Sequence, residues 1–425
     1  MRIEELYQCF LECSGVSTDT RNINENTLFI ALKGENFDAN TFAKEALNKG
    51  ARYVIIDNKN YHTDTNKMLL VEDSLQTLQL LANYHRKQLG LPIIALTGSN
   101  GKTTSKELIY TVLSKKYKTK ATVGNLNNHI GVPLTLLSFD ENTDLGIVEM
   151  GANHQKEIEL LCKIVEPDFG YVTNFGRAHL EGFGGVEGVI AGKSEMYTYL
   201  ENTHKMAFVN LDDSIQVEKT LNLPIYSFSF NDITSDVCIT ESEAQPMAKL
   251  EINDVMINSN LTGTYNLTNI AVAATIGNYF NVSIEEIKEA IESYFPTNNR
   301  SQWIKKDTNQ ILLDAYNANP SSMKVAIDNF AQLKENNKIL FLGDMFELGN
   351  ESKNEHKNII DLVEELNLET YFVGKCFYEN KNEKSLFFES FEALENHLKN
   401  NSITNKTILI KGSRGMALER ILNLI

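Results

Sequence analysis

The chain has 425 residues, 42% hydrophobic and 23% charged, with a formal net charge of −16. That composition excludes a disordered, collagenous or disulfide-framework protein, and 24 glycines with 7 prolines are too few for a linker-rich one. The length predicts about three domains, and the acidic excess argues against a surface built to coat nucleic acid or acidic lipid, so any anionic ligand must be caught locally.

The opening, MRIEELYQCF, carries two glutamates where a secretory leader needs a basic and then an apolar stretch. No apolar run approaches the roughly 20 residues of a membrane span. Cys9, Cys13, Cys162, Cys238 and Cys376 are scattered, lack paired metal spacing and read as reduced thiols. A cytoplasmic protein without membrane insertion is expected.

Short apolar runs that read as buried parallel strands alternate with amphipathic segments, which predicts an α/β protein. A first domain, residues 1–88, is predicted from a strand at 26–33, a helix at 42–51 and a strand at 52–57. A second, 89–296, opens with a strand at 92–97 and a helix on which Leu108, Ile109, Val112 and Leu113 share one face. Strands at 145–150, 169–175 and 206–211 follow, then an antiparallel hairpin over 248–261 and helices at about 267–280 and 284–295, the last started by the Ser283/Glu286 capping box. The third, 297–425, resumes the alternation with strands at 311–316, 338–343, 370–374 and 407–412. Its helices are predicted from Ser321, at 355–366, at 391–399 and from Gly415. It reads as a doubly wound, Rossmann-like domain whose ligands sit beyond the carboxyl ends of its strands.

The most specific chemistry lies in TGSNGKTT, residues 97–104. A strand ends, a glycine-containing turn follows, and Lys102 and Thr103 open a helix. Backbone N–H groups at the helix start then face an anion, Lys102 reaches the outer phosphates, and the Thr103 hydroxyl suits Mg²⁺. Leu96 stands where the common form of this loop has its first glycine, and a plain strand-to-helix turn with a solvated lysine is the alternative. ATP is the expected phosphate donor. Glu149 ends the strand in VEMGA, where a carboxylate reaches into the crevice beside the loop or else sits solvated at a strand end. His179 and Glu181 form an H-x-E, but no Pro-Cys-x-x-Cys accompanies it, which disfavours a zinc deaminase. Following a strand of the nucleotide domain, His179 reads equally as a site residue and as a structural one. DENTDLG (140–146) fails as a calcium loop, having Leu145 at its sixth position and Gly151 at its twelfth, and SKKYKTK (114–120) reads as cations at a helix C-terminus.

Taken together, the motifs resemble the ATP-dependent Mur ligases of peptidoglycan synthesis, and within that family the branch that adds D-alanyl-D-alanine. The resemblance spans essentially the whole chain through VGNLNNHIGVPLTLL (123–137), VEMGANHQKEIELL (148–161), TNFGRAHLEGFGGVEGVIAGKSEMY (173–197), LTGTYNLTNIAVAA (261–274), DAYNANPSSM (314–323), LGDMFELGNESKNEH (342–356) and ILIKGSRGMALERIL (408–422). It implies an N-terminal domain for the UDP part of the substrate, a central ATPase and a C-terminal domain that closes over ATP.

By that resemblance Thr97, Gly98, Ser99, Asn100, Gly101, Lys102, Thr103 and Thr104 bind ATP, with Asn266 and Asn269 near adenine and Arg300 and Asp314 on phosphate and ribose. Thr103, Glu149, His179 and a carbamylated Lys193 hold Mg²⁺, with Lys102, His179 and Lys193 as the catalytic set. Without that family, Lys193 reads as a solvated helix lysine and the asparagines as caps or surface amides. Ser17, Thr18, Arg21, Lys33 and Asp38, with the neighbouring Gly34, fall on the uridine nucleotide. Asn125, Asn128, Tyr316, Asn317, Asn319, Lys411, Ser413 and Arg414 fall on the rest of the substrate cleft. Three departures stand out: Ala315 follows a lone Asp314 where the family often has Asp-Asp-Ser, Arg177 stands where proline is common, and Ser194 replaces a frequent glycine.

The implied reaction phosphorylates the carboxylate of UDP-N-acetylmuramoyl-tripeptide with ATP, and the amine of D-alanyl-D-alanine then displaces phosphate, in a monomer that binds no nucleic acid. Two rivals share the loop: another amide ligase of the superfamily, such as a folylpolyglutamate synthetase, and a non-catalytic nucleotide-binding subunit. The second has no reason to keep Lys102, Glu149, His179 and Lys193 together.

Overall fold

The computed structural model describes residues 2–297, 299–335 and 337–425. Three principal sheets succeed one another along the chain. The first has four parallel strands in the order Gly15–Ser17, Thr27–Ile30, Tyr53–Ile56 and Met68–Leu70. Alternation along Thr27–Ile30 sends Leu28 and Ile30 into one apolar core with Leu6 and Leu78, and Phe29 into another with Ala43 and Ala46. A strand buried on both faces needs apolar residues at every position, which is why its sequence is a continuous run.

The central sheet has nine strands, ordered Val255–Asn258, Lys249–Ile252, Val237–Glu243, Ile225–Ser229, Met206–Asn210, Phe169–Val172, Ile93–Thr97, Leu145–Glu149 and Thr119–Ala121. All neighbours are parallel except those of the hairpin Lys249–Ile252/Val255–Asn258, which closes one end. Ile93–Thr97 lies between Leu145–Glu149 and Phe169–Val172, so Thr97, Glu149 and Val172 end on one edge. Helix Thr264–Tyr279 buries residues on several sides, Asn266, Asn269 and Thr275 among its apolar ones, and it packs against helix Lys102–Leu113 and against Ile225–Ser229 and Val237–Glu243. Burial on several sides explains why its sequence lacks an amphipathic stripe.

The third sheet has six strands in the order Gln302–Lys306, Asn309–Asp314, Thr407–Lys411, Lys338–Gly343, Glu369–Val373 and Leu386–Phe388, all parallel except the first. The α/β class and the three-domain architecture are as the sequence predicts. One predicted element is absent: instead of a helix from Gly415 there are 3₁₀ turns at Arg414–Met416 and Leu418–Asn423. Ala417 between them has φ 48°, a left-handed conformation that breaks the α-helical ladder. The strand predicted at 26–33 stops at Ile30, and Lys33–Gly34 instead pairs with Phe37–Asp38 as a separate small hairpin. Helices Ser74–Leu89, Gly131–Leu137 and Val186–Asn202 and the strands Thr119–Ala121, Ile225–Ser229 and Val237–Glu243 lie outside the predicted set. Among the described residues, no helix is long and apolar enough to cross a membrane.

Candidate functional site

The turn after strand Ile93–Thr97 is shaped by the neighbouring strand's exit. Ser99 N donates to Asn174 O at 3.0 Å, and Asn100 N to Asn174 Oδ1 at 3.2 Å. The Asn100 carbonyl accepts from Thr173 Oγ1 at 2.6 Å and from Asn174 Nδ2 at 3.0 Å, and Ser99 Oγ donates to Gly176 O at 2.7 Å. Two glycines make the path possible. Gly98 has φ 138°, and a Cβ there would lie 2.0 Å from Thr173 Oγ1 and 2.9 Å from Thr173 N. Gly101 has φ 80°, and a Cβ would meet Asn269 Oδ1 at 2.6 Å. Lys102 then opens helix Lys102–Leu113, and its Nζ donates back to Gly98 O at 2.6 Å and Ser99 O at 3.2 Å.

Glu149, 2% exposed, sits beside this helix start. Its Oε2 accepts from Thr103 Oγ1 at 3.0 Å, its Oε1 accepts from Asn127 Nδ2 at 2.9 Å, and the buried Lys106 Nζ stands 3.8 Å from Oε2. Burial pulls the Lys102 amine down to about 8, with Glu149 opposing that fall and Arg300 adding to it. From behind, Ser105 Oγ donates to Asn269 Oδ1 at 2.9 Å, Asn269 Nδ2 to Asn266 Oδ1 at 2.9 Å, and Asn266 Nδ2 to Thr262 O at 2.8 Å.

The carboxyl ends of the central and C-terminal sheets face one cavity of about 920 Å³. From the central side Ser99 through Thr104, Asn125, Asn128, Glu149, His179 and Asn269 line it, and from the C-terminal side Arg300, Asp314, Tyr316, Asn317, Asn319 and Lys411. Asn319 caps helix Pro320–Ala331 and its Nδ2 donates across the cleft to Asn100 Oδ1 at 2.7 Å. The Arg300 guanidinium lies 3.6 Å from the Tyr316 ring centre, and that of Arg414 5.9 Å. Asp314 Oδ2 accepts from Lys411 Nζ at 2.6 Å and its Oδ1 from Ser301 N at 3.1 Å. Cations from both sheets thus face a loop of backbone amides, an arrangement able to hold a polyphosphate against a second anion.

Other expected residues stand behind or away from this cavity. Thr97 and Gly98 support the loop, Asn266 supports Asn269, and Ser413 Oγ accepts from Phe346 N at 2.9 Å and donates to Ala318 O at 3.3 Å. Arg414 pairs with Glu419 at 3.2 Å. Lys193 is 1% exposed, its Nζ donates to Ala152 O at 3.0 Å, and it lies 4.9 Å from the Phe183 ring centre. Burial first, and the nearby Lys102 charge second, push its amine well below the ordinary range. His179, which does line the cavity, bonds the Glu347 carboxylate through Nδ1 and that contact holds the carboxylate below its ordinary pKa, while Glu181 N donates to Glu347 O at 3.3 Å. Ser17, Thr18, Arg21, Lys33 and Asp38 lie in the first domain and are not among the residues lining this cavity. There Ser17 Oγ donates to Asp19 O at 2.9 Å and Arg21 forks onto Asp19, while Lys33 pairs with Asp57 at 2.8 Å and Asp38 caps Asn40.

Asp344, His356 and Cys376 also gather donor atoms within 4.8 Å of one another. Their bonds are structural: His356 Nε2 accepts from Met345 N at 3.0 Å, and the Asp344 carboxylate accepts from Cys376 N and Phe377 N at 2.9 and 3.0 Å. Asn127, Asn174, Lys106 and Ser321 also meet the site, through contacts between residues distant in sequence that no motif encodes, although the asparagine-rich GNLNN stretch is a sign of the first.

Family models match along the chain: "Mur ligase family, catalytic domain" over residues 12–86, "Mur ligase middle domain" over 96–277 and "Mur ligase, glutamate ligase domain" over 299–414. The chain is 33% identical over 420 residues to the UDP-N-acetylmuramoyl-tripeptide--D-alanyl-D-alanine ligase of Bacillus subtilis (strain 168), covering 96% of this chain and 92% of that one. It is similar to the crystal structure of MurF from Acinetobacter baumannii, with TM-score 0.87, 31% identity and coverage of 99% and 97%. It is likewise similar to MurF ligase from Thermotoga maritima in complex with ADP, with TM-score 0.84, 26% identity and coverage of 98% and 97%.

Proposed function

Because this chain belongs to the Mur ligase family, we propose that it joins D-alanyl-D-alanine to UDP-N-acetylmuramoyl-tripeptide at the expense of ATP, as a cytoplasmic monomer. The observation that carries this reading is the cavity in which the phosphate loop, Glu149, Arg300, Asp314 and Lys411 meet. Domain limits at 88/89 and 296/297 assign the UDP moiety to the first domain, where Ser17, Thr18, Arg21, Lys33 and Asp38 would receive it.

The tripeptide carboxylate attacks the γ-phosphorus of ATP and ADP leaves; the dipeptide amine then attacks the acyl phosphate and phosphate leaves. No protein nucleophile is required, so this chain's residues position and neutralise. Loop amides and Lys102 hold the phosphates, Arg300 lowers the repulsion between two anions, and Asn319 bonded to Asn100 keeps the C-terminal sheet over the loop. Water kept out of the cleft spares the acyl phosphate.

Thr103 Oγ1 and Glu149 Oε2, 3.0 Å apart, are an all-oxygen pair that suits Mg²⁺. Bound there, the ion would supply charge to the triphosphate. His179 would offer a second ion its remaining ring nitrogen. Lys193 fits carbamylation: burial lowers its amine and so favours the neutral form that adds CO₂ with loss of a proton, and the resulting carboxylate would exchange repulsion by Lys102 for attraction.

The test is to incubate the protein with ATP, Mg²⁺ and UDP-muramoyl-tripeptide plus either D-alanyl-D-alanine or glutamate, and to weigh the products. The dipeptide adduct is expected; equal product with glutamate would favour the folate-type reaction.

A further inference from the structure

Arg177, the residue that departs from proline, makes two contacts across the cleft away from the cavity floor. Its Nη2 lies 2.5 Å from Glu355 Oε1, and its backbone N donates to Ser321 Oγ at 2.7 Å. The neighbouring Gly176 carbonyl accepts from Ser99 in the phosphate loop, so the ion pair adjoins the loop's own support directly. On the other side Glu355 belongs to helix Ser352–Glu365, held by the buried His356 through Met345 N and Ser352 O. The pair therefore runs from one fixed element to another.

Its asymmetry gives it a direction. The Glu355 side chain is 9% exposed and that of Arg177 46%, so the carboxylate has given up much of its hydration. With the cleft shut and the guanidinium missing, that carboxylate stays poorly solvated and poorly paired; with the cleft open, water replaces the guanidinium. A contact made in one state only shifts the balance between states. Resting on the ligase reading above, we propose that Arg177–Glu355 is an interdomain latch. It positions the C-terminal domain over the phosphate loop and holds the cleft shut between acyl-phosphate formation and amine attack. Its loss would let water take the place of the amine, so phosphate would be released without amide.

The experiment is a double-mutant cycle in the full chain with Arg177→Ala, Glu355→Gln and the pair, measuring phosphate released per amide formed at saturating ATP, UDP-muramoyl-tripeptide and D-alanyl-D-alanine. A general loss of stability would lower both products together and leave this ratio alone. Each single variant is expected to raise the ratio by at least about 5-fold, and the double variant to do no worse than the more affected single. A ratio within about 2-fold of the parent's in either single, or effects that multiply in the double, overturns the latch; the first outcome is that of an ordinary exposed ion pair. Small-angle scattering of parent and Arg177→Ala with a non-hydrolysable ATP analogue and Mg²⁺ supplies a second readout. A more extended variant supports the latch and identical profiles overturn it. Should the parent make no amide from these substrates, the ligase reading fails, and the scattering comparison still decides the latch.

Discussion

Replacing Gly98 by alanine tests whether the phosphate loop owes its shape to the strand beside it. At φ 138° a side chain is strained whatever the space around it, at a cost of about 1–3 kcal/mol. The new Cβ would also stand 2.0 Å from Thr173 Oγ1, 2.9 Å from Thr173 N and 3.1 Å from Asn174 N. The hydroxyl can turn away by giving up its 2.6 Å bond to the Asn100 carbonyl, whereas the two backbone nitrogens cannot. Overpacking of this kind costs a further ~1–3 kcal/mol. The sum, about 2–6 kcal/mol, corresponds to roughly 30-fold to 10⁴-fold, and because the loop can move while the sheet cannot, it should appear as lost nucleotide affinity. Calorimetric titration with ADP and Mg²⁺, alongside ATP-dependent phosphate release, measures it. Adding Thr173→Ala should recover only the hydroxyl's share. ADP affinity within threefold of the parent's in Gly98→Ala would refute the reasoning.

Lys102→Ala should abolish phosphate release in a coupled assay, and near-normal turnover would count against its role. Because burial has drawn the Lys102 amine from 10.5 to about 8, the rate at limiting ATP should fall as pH rises through about 8. Over the same interval folding stability should gain from this group, since between about 8 and 10.5 the unfolded chain binds the proton that the folded one has released; rates and denaturant midpoints from about pH 7 to about pH 10 check both signs. Asn127→Ala removes the donor to Glu149 Oε1, an unmet buried carboxylate costs about 1–3 kcal/mol, and a Mg²⁺ titration of activity should shift accordingly; an unmoved titration would detach Asn127 from the metal pair. If Lys193 is carbamylated, intact mass under bicarbonate should show an added carboxylate and Lys193→Ala should lose turnover, whereas full activity would exclude the role.

The phosphate loop was legible because its chemistry is local: a strand, a turn and a helix start lie within eight consecutive residues, 97–104. The strand Lys338–Gly343 matched its predicted limits because six apolar-rich residues buried on both faces leave one reading. Helix Thr264–Tyr279 was predicted three residues short at its start, where Thr264 and Tyr265 turn toward Asn329 and Ser301. The bond from His179 to Glu347 joins residues 168 positions apart and that from Asn100 to Asn319 joins residues 219 apart. No periodicity encodes such pairs, because the fold alone brings them together. Lys193 illustrates the converse: on a helix it reads as solvated, and only tertiary packing turns it into a nearly inaccessible amine. The missing terminal helix reflects one backbone angle at Ala417, a residue whose intrinsic preference is helical.

Ser99, Asn100 and Gly98 take their conformation from Thr173, Asn174 and Gly176, so an incoming triphosphate meets a mould already cast by the exit of the neighbouring strand. Little ordering entropy is then left for the nucleotide to supply on arrival. A change at the exit of Phe169–Val172 would therefore be felt as a defect in a loop more than seventy residues earlier in the chain.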